Sequence, residues 1–175
     1  MEEKQKSAFM PSLMPGIYLG FVLIIYSLLM FLLDVDRESY INYFSYVILA
    51  AGLYWSIVSF RDKQLGGYIE FGKAFSAGFY TGLFAAVIAG IFLYIYVQYI
   101  DLGMIDEILI NAEESMLEQN PDMSNEQIDQ GLAMTETFTS PVMMGVFGFI
   151  ANVIVSAILS LIIAIFAKRE NKQVA

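Results

Sequence analysis

The 175-residue chain contains no cysteine and no histidine. Without cysteine there can be no disulfide, thiol nucleophile, zinc thiolate site or iron–sulfur cluster. Without histidine the commonest general base, haem ligand and metal ligand is missing. Charge is scarce too: 15% of residues are charged, against about 25% in a soluble domain. Apolar residues make up 58%, and the mean hydropathy is +0.62. That balance excludes an ordinary water-soluble globule, and it excludes disorder, which needs low hydrophobicity. What remains is one small membrane domain with no obvious redox or metal chemistry.

A membrane-crossing helix needs about 20 mostly apolar residues, and runs of 18 or more are candidates. Four runs qualify: about 13–33, 39–60, 74–100 and 141–167. Barrel strands would instead alternate apolar and polar residues over about 10 positions. The first run follows Lys4 and Lys6, as a signal peptide would. However, it is longer than the usual apolar region of about 7–15 residues, and no small-residue cleavage site follows it. It is expected to be an uncleaved first helix. The fold class is therefore all-α: a four-helix transmembrane bundle, forming one integral membrane domain over residues 1–175.

Basic residues near span ends mark the cytoplasmic side. Lys4, Lys6, Arg61, Lys63, Lys73, Lys168, Arg169 and Lys172 fall on one side, and Arg37 alone falls on the other. This predicts a multi-pass protein with both termini in the cytoplasm. Aromatic residues agree, because Tyr and Trp favour the membrane–water boundary. Tyr40, Tyr43, Tyr96 and Tyr99 map to the outer boundary, and Trp55, Phe60, Tyr68, Phe71 and Phe75 to the inner one.

The connection 101–137 holds ten acidic residues and no Lys or Arg. The whole chain carries a net charge of −9, so its acidity resides in this exoplasmic loop. Ile105, Ile108, Leu109, Ala112 and Met116 recur at helical spacing, with Asp106, Glu107, Glu113, Glu114 and Glu118 between them. Asn120-Pro121-Asp122 reads as a turn. Ser124-Asn125-Glu126-Gln127 matches a capping box, and Ile128 and Leu132 give the helix that follows an apolar stripe. Ser140-Pro141 reads as an N-cap followed by a first-turn proline. The expectation is an acidic helical hairpin between spans 3 and 4, folded over the outer ends of its own bundle. The five interspersed carboxylates would form its partner face. No calcium-loop spacing is present, so a solvated acidic face is expected rather than a metal site.

No Asp, Glu, Lys, Arg or His lies within the spans. Such residues usually mark proton relays and ion pathways, so a pump is not expected. Catalysis by Ser or Thr would need an adjacent base, and no span offers one. Small residues, by contrast, are patterned. Gly78, Gly82, Ala86 and Gly90 recur every four positions, as do Asn152, Ser156, Ser160 and Ala164, and Gly16 and Gly20 begin a similar face. Such faces let helix backbones approach closely. They are expected to pack the bundle, or alternatively to mediate self-association.

The second connection reads Gln64-Leu65-Gly66-Gly67-Tyr68-Ile69-Glu70-Phe71-Gly72-Lys73-Ala74-Phe75. As an interfacial segment, Gly66-Gly67 permits a turn and Tyr68, Ile69 and Phe71 can enter the headgroup boundary. Lys73 can reach anionic headgroups, Glu70 and Lys73 can pair if helical, and Gly72 allows a close approach. The spacing is not that of a P-loop. The stretch Gly67, Tyr68, Ile69, Glu70, Phe71, Gly72, Lys73 before a glycine-rich span resembles the bacterial family catalogued as domain of unknown function 4199. The likeness extends over four spans and a polar helical loop before the last. It implies the cytoplasmic (inner) membrane of a bacterium, chiefly among Bacteroidetes, and it brings no activity or catalytic residue with it.

The favoured function is a non-enzymatic partner-binding or membrane-accessory protein. The alternative is a small oligomeric passive transporter or channel, which would require a continuous polar stripe. An intramembrane enzyme is the least supported class. The lipid bilayer and a protein partner, or a second copy, are the expected surroundings, with no nucleic acid, cofactor or metal.

Overall fold

The structure, a computed structural model, describes residues 7–36 and 39–169. Lys4, Lys6, Arg37 and Lys172, used above to orient the chain, lie outside the described residues. Six α-helices and no strand occur among those described. They are α1 (Phe9–Leu32), α2 (Phe44–Gln64), α3 (Phe71–Ile95), α4 (Met104–Gln119), α5 (Asn125–Phe138) and α6 (Pro141–Ala167). A 3-10 turn, Tyr40–Tyr43, leads into α2, and a π turn, Tyr96–Ile100, continues α3. Four of these segments are long and apolar enough to cross a membrane.

The helix ends extend past the apolar runs for local reasons. α1 starts at Phe9 because Pro11 falls in its first turn, where a missing N–H removes no helix bond. α2 runs on through Arg61-Asp62-Lys63-Gln64, since nothing in that tetrapeptide breaks a helix. Gly66 and Gly67 do end it: their φ values of 67° and 91° lie in the left-handed region that glycine tolerates. The turn returns the Gly67 N–H to the Arg61 carbonyl at 3.0 Å.

Two compact units divide the chain. One comprises residues up to Ala89 together with those from Phe149 onward, and the other runs from Gly90 to Gly148. In the first unit α3 is the hub. α1 runs parallel to it, since Gly16 lies against Thr81 and Phe84 while Gly20 lies against Ile88. α2 runs antiparallel to α3, with Leu53 against Gly82 and Ile57 against Gly78. α6 is also antiparallel, with Ser156 against Gly82 and Ser160 against Gly78. Gly52 of α2 receives the Leu19 side chain of α1. The result is an up-and-down four-helix bundle.

The second unit contains the last turns of α3, the π turn, α4, α5 and the start of α6. α4 and α5 pack as a helical hairpin. Gly131 of α5 accepts Met116 of α4, whose Sδ would stand 2.9 Å from an added Cβ. Gly145 of α6 meets the Gly90 carbonyl and Tyr94, and Gly148 meets Leu93.

Candidate functional site

The bundle interior holds five buried hydroxyl side chains, drawn from all four spans: Ser12, Ser56, Thr81, Ser156 and Ser160. Three of them form one network, two on a shared carbonyl and the third on a hydroxyl. Thr81 Oγ1 donates to the Ala77 oxygen one turn back at 2.8 Å, and Ser12 Oγ donates to the same oxygen at 3.0 Å. Ser56 Oγ lies 2.6 Å from Thr81 Oγ1. Thr81 has already spent its proton on Ala77, so Ser56 is the donor. The Ala77 carbonyl thus ties α1 to α3, and the Thr81 hydroxyl ties α2 to it.

The other two hydroxyls behave differently. Ser156 Oγ and Ser160 Oγ have no hydrogen-bond partner. A serine in a membrane helix usually donates back to its own backbone, as Ser76 does to Gly72 at 2.8 Å. Ser156 and Ser160 instead face glycine: a Cβ on Gly78 would stand 2.6 Å from Ser160 Oγ. That geometry leaves only weak Cα–H···O contact. Gly78, Gly82, Ala86 and Gly90 are all buried. Descending α3 by four residues is matched by climbing α6 by four, and the same register sets Ala86 opposite Asn152, which is half-buried.

The second connection is a structural clasp. Ile69 and Arg169 form an antiparallel bridge with both N–H···O bonds at 2.9 Å. Arg61, 8% exposed, donates Nη1 to the Ala167 carbonyl at 3.2 Å, at the C-terminal end of α6. A cation there also opposes the negative end of the helix dipole. Its Nε and Nη2 hold Asp62 at 2.7 and 3.2 Å. Beneath lie Ala8, Ile57, Phe60, Ile69, Ala74, Ala77, Ala164 and Ala167, a closed apolar cluster. Phe60 therefore belongs to the core rather than to a boundary belt. Tyr68, Glu70, Phe71 and Gly72 are exposed, and Gly67 and Lys73 are half-buried. The close approach expected at Gly72 is absent, for no atom lies within 4 Å of a Cβ added there. Glu70 and Lys73 form no ion pair, and Glu70 instead uses its carbonyl to accept the Ala74 N–H at 2.9 Å.

On the hairpin, Asp106, Glu107, Glu113, Glu114 and Glu118 are all exposed. Ile105, Ile108, Leu109, Ala112 and Met116 are half-buried, and Ile128 of α5 is buried. The capping box forms in full: Gln127 N donates to Ser124 Oγ at 3.4 Å, and Ser124 N donates to Gln127 Oε1 at 3.1 Å. Pro141 opens α6, the Ser140 carbonyl accepts the Met144 N–H at 2.9 Å, and the Ser140 hydroxyl donates to the Thr137 carbonyl at 2.9 Å. Tyr96 donates its hydroxyl to Asp101 Oδ2 at 3.1 Å, within the π turn and the residue that follows it. No group of three or more Asp and Glu converges as metal ligands would, among the described residues.

The model of the family described as Protein of unknown function (DUF4199) matches residues 15–169. The chain belongs to that family. No curated protein and no solved structure matches it. In this DUF4199 chain the matched stretch takes in both halves of the Ile69–Arg169 bridge, along with Gly66, Gly67 and Arg61. The glycine-tyrosine-isoleucine segment thus has a mechanical task, turning the chain and supplying Ile69 to the clasp.

Sequence reasoning missed two features of this DUF4199 fold. The first is the Ala77 node. Its signal was the continuation of the Gly20–Gly16 face back through Ser12 to Ala8, all four buried at steps of four. The second is Arg61, which looked like one loop charge among several. Its neighbours in sequence, Phe60 before it and Asp62-Lys63-Gln64 after it, give no hint of a carbonyl partner 106 positions away.

Proposed function

We propose that this multi-pass membrane protein acts by binding rather than by chemistry. It would reside in a bacterial inner membrane with both termini in the cytoplasm, presenting the acidic α4–α5 hairpin on the exoplasmic side to a protein partner. One observation carries the reading. α4 turns its half-buried stripe inward and leaves Asp106, Glu107, Glu113, Glu114 and Glu118 exposed to solvent. Three of the bundle hydroxyls favour a structural role over a conducting one, since Ser12 and Thr81 donate to the Ala77 carbonyl and Ser56 bonds to Thr81.

Two experiments test this. Ser115→Cys should label with an impermeant thiol reagent in intact spheroplasts, while Gln173→Cys should be protected; the reverse pattern would invert the orientation. Changing the five carboxylates to their amides should leave insertion and fold intact but weaken cross-linked partner capture, most at low salt, where charge attraction acts over longer range. Capture that ignores both the amides and ionic strength would reduce the hairpin to a packed connector.

A further inference from the structure

We infer that the outward side of α4 is an apolar two-point docking face, ringed by carboxylates, for a cationic amphipathic helix of another protein. The inference rests on the binding role proposed above and names what the hairpin would bind. Ile110 is 57% exposed and Leu117 39% exposed. They stand two helical turns apart, on one side of α4. Asp106 lies four residues before Ile110, and Glu113 and Glu114 fall between Ile110 and Leu117, three or four residues from each. At those spacings the side chains are neighbours on the helix surface.

Both lie off the hairpin's inward stripe, which is made by Ile105, Ile108, Leu109, Ala112 and Met116. An apolar centre inside a charged rim is the anatomy of a protein contact site, in which the centre carries most of the energy. Charge selects the occupant. A second copy would bring its own ten carboxylates and no Lys or Arg in this segment, and anionic lipid would be repelled likewise. A helix with two apolar residues seven apart, flanked by Lys or Arg, complements both the centre and the rim.

The test uses the whole protein in nanodiscs of zwitterionic phosphatidylcholine and two synthetic lysine-rich peptides of roughly 18 residues, long enough to hold a helix. One carries two Leu seven positions apart, and the other has Ser at both places with the same charge. The Leu peptide should bind about tenfold more tightly than the Ser peptide, as loss of central apolar contacts implies. Ile110→Ala with Leu117→Ala should erase that tenfold difference while leaving the salt dependence. Alanine favours helix, so the hairpin persists, as circular dichroism would verify. Equal affinity of the two peptides for the unaltered protein, with both still sensitive to salt and to the five amides, would overturn this inference and leave the binding role standing. Failure of both peptides to bind, together with partner capture indifferent to the amides, would sink both readings. Equal binding of the Leu peptide to empty nanodiscs, or a face occupied by a second copy, would also overturn it.

Discussion

The four-helix bundle and the α4–α5 hairpin solve opposite packing problems. In the bundle the most fully buried side chains are mostly small: Ser12, Thr81, Ser156 and Ser160 stand with Leu53 and Ile57. Large apolar residues such as Phe21, Ile25, Ile154 and Ile162 point outward. In the hairpin Ile128 and the α4 stripe turn inward, and the carboxylates turn outward. The difference follows from the solvent each region is built for. Between helices in lipid, burying a large apolar side chain gains nothing over leaving it among acyl chains, so close backbone approach and dispersion do the holding. In water the same burial contributes about 25 cal/mol per Å².

The sharpest way to break this contrast is at the α3–α6 seam. Gly82→Leu should be the most damaging substitution, because an added Cβ already collides with Ser156. A loss of about 3 kcal/mol or more is expected where helices must part, read as reduced thermal stability in detergent. Gly72→Leu is the matched control: with nothing within 4 Å, it should change stability little. Equal effects of the two would mean that α3 does not pack through its small face.

Next in size is Arg61→Ala, which removes the bond to the Ala167 carbonyl and releases the exposed Asp62 carboxylate to water. A cost of about 1.5–3 kcal/mol is expected for a charged donor, with faster amide exchange confined to the last turns of α6 and the 66–70 connection. Ser124→Ala removes the capping box and should cost about 1 kcal/mol. Its exchange signature should fall on α5 and leave α1, α2 and α3 unchanged. A stability loss spread through the bundle would contradict the division into two units.

The smallest effect sharpens the comparison most. Ser156→Ala and Ser160→Ala each delete a buried hydroxyl that has no partner. An unmet hydroxyl costs about 1–3 kcal/mol, so these changes should be neutral or stabilising. Ser56→Ala, which breaks a bond to Thr81, should instead cost about 1 kcal/mol. If all three serines lower melting alike, the two unpartnered hydroxyls are bonded in the membrane.

Much of this architecture is legible in the sequence, and the reasons are physical. Uncharged runs of span length leave a helix as the way to satisfy the backbone in lipid, so the four long helices could be read directly. Ser124-Asn125-Glu126-Gln127 announces α5 through side chains that bond within four residues. The hairpin stripe is legible for the same local reason, by its helical spacing. What the pattern does not carry is the choice of partner over distance. Small-residue spacing marks a face on α3 and another on α6 without saying that they meet, or that serine would lie on glycine. The π turn at Tyr96–Ile100 has no signature in its own residues. Arg61 was visible as a charge, but its role depends on where α6 ends, a fact of tertiary structure.

The clasp also constrains the order in which the molecule can be assembled. Arg61 and Ile69 find their partners at Ala167 and Arg169, near the far end of the chain. A ribosome adds about 5–20 residues per second, so α1, α2 and α3 emerge seconds before the last helix exists. During that interval the 66–70 connection has no strand to pair with and the Arg61 guanidinium has no carbonyl to hold. The first three helices can gather around the Ala77 carbonyl at once, since Ser12, Ser56 and Thr81 are all already made. Closure belongs to α6, whose arrival both fills the glycine seam and fastens the ends, so a chain truncated before residue 141 would keep only the three-helix assembly, and one truncated before residue 167 would keep the seam but lose the clasp.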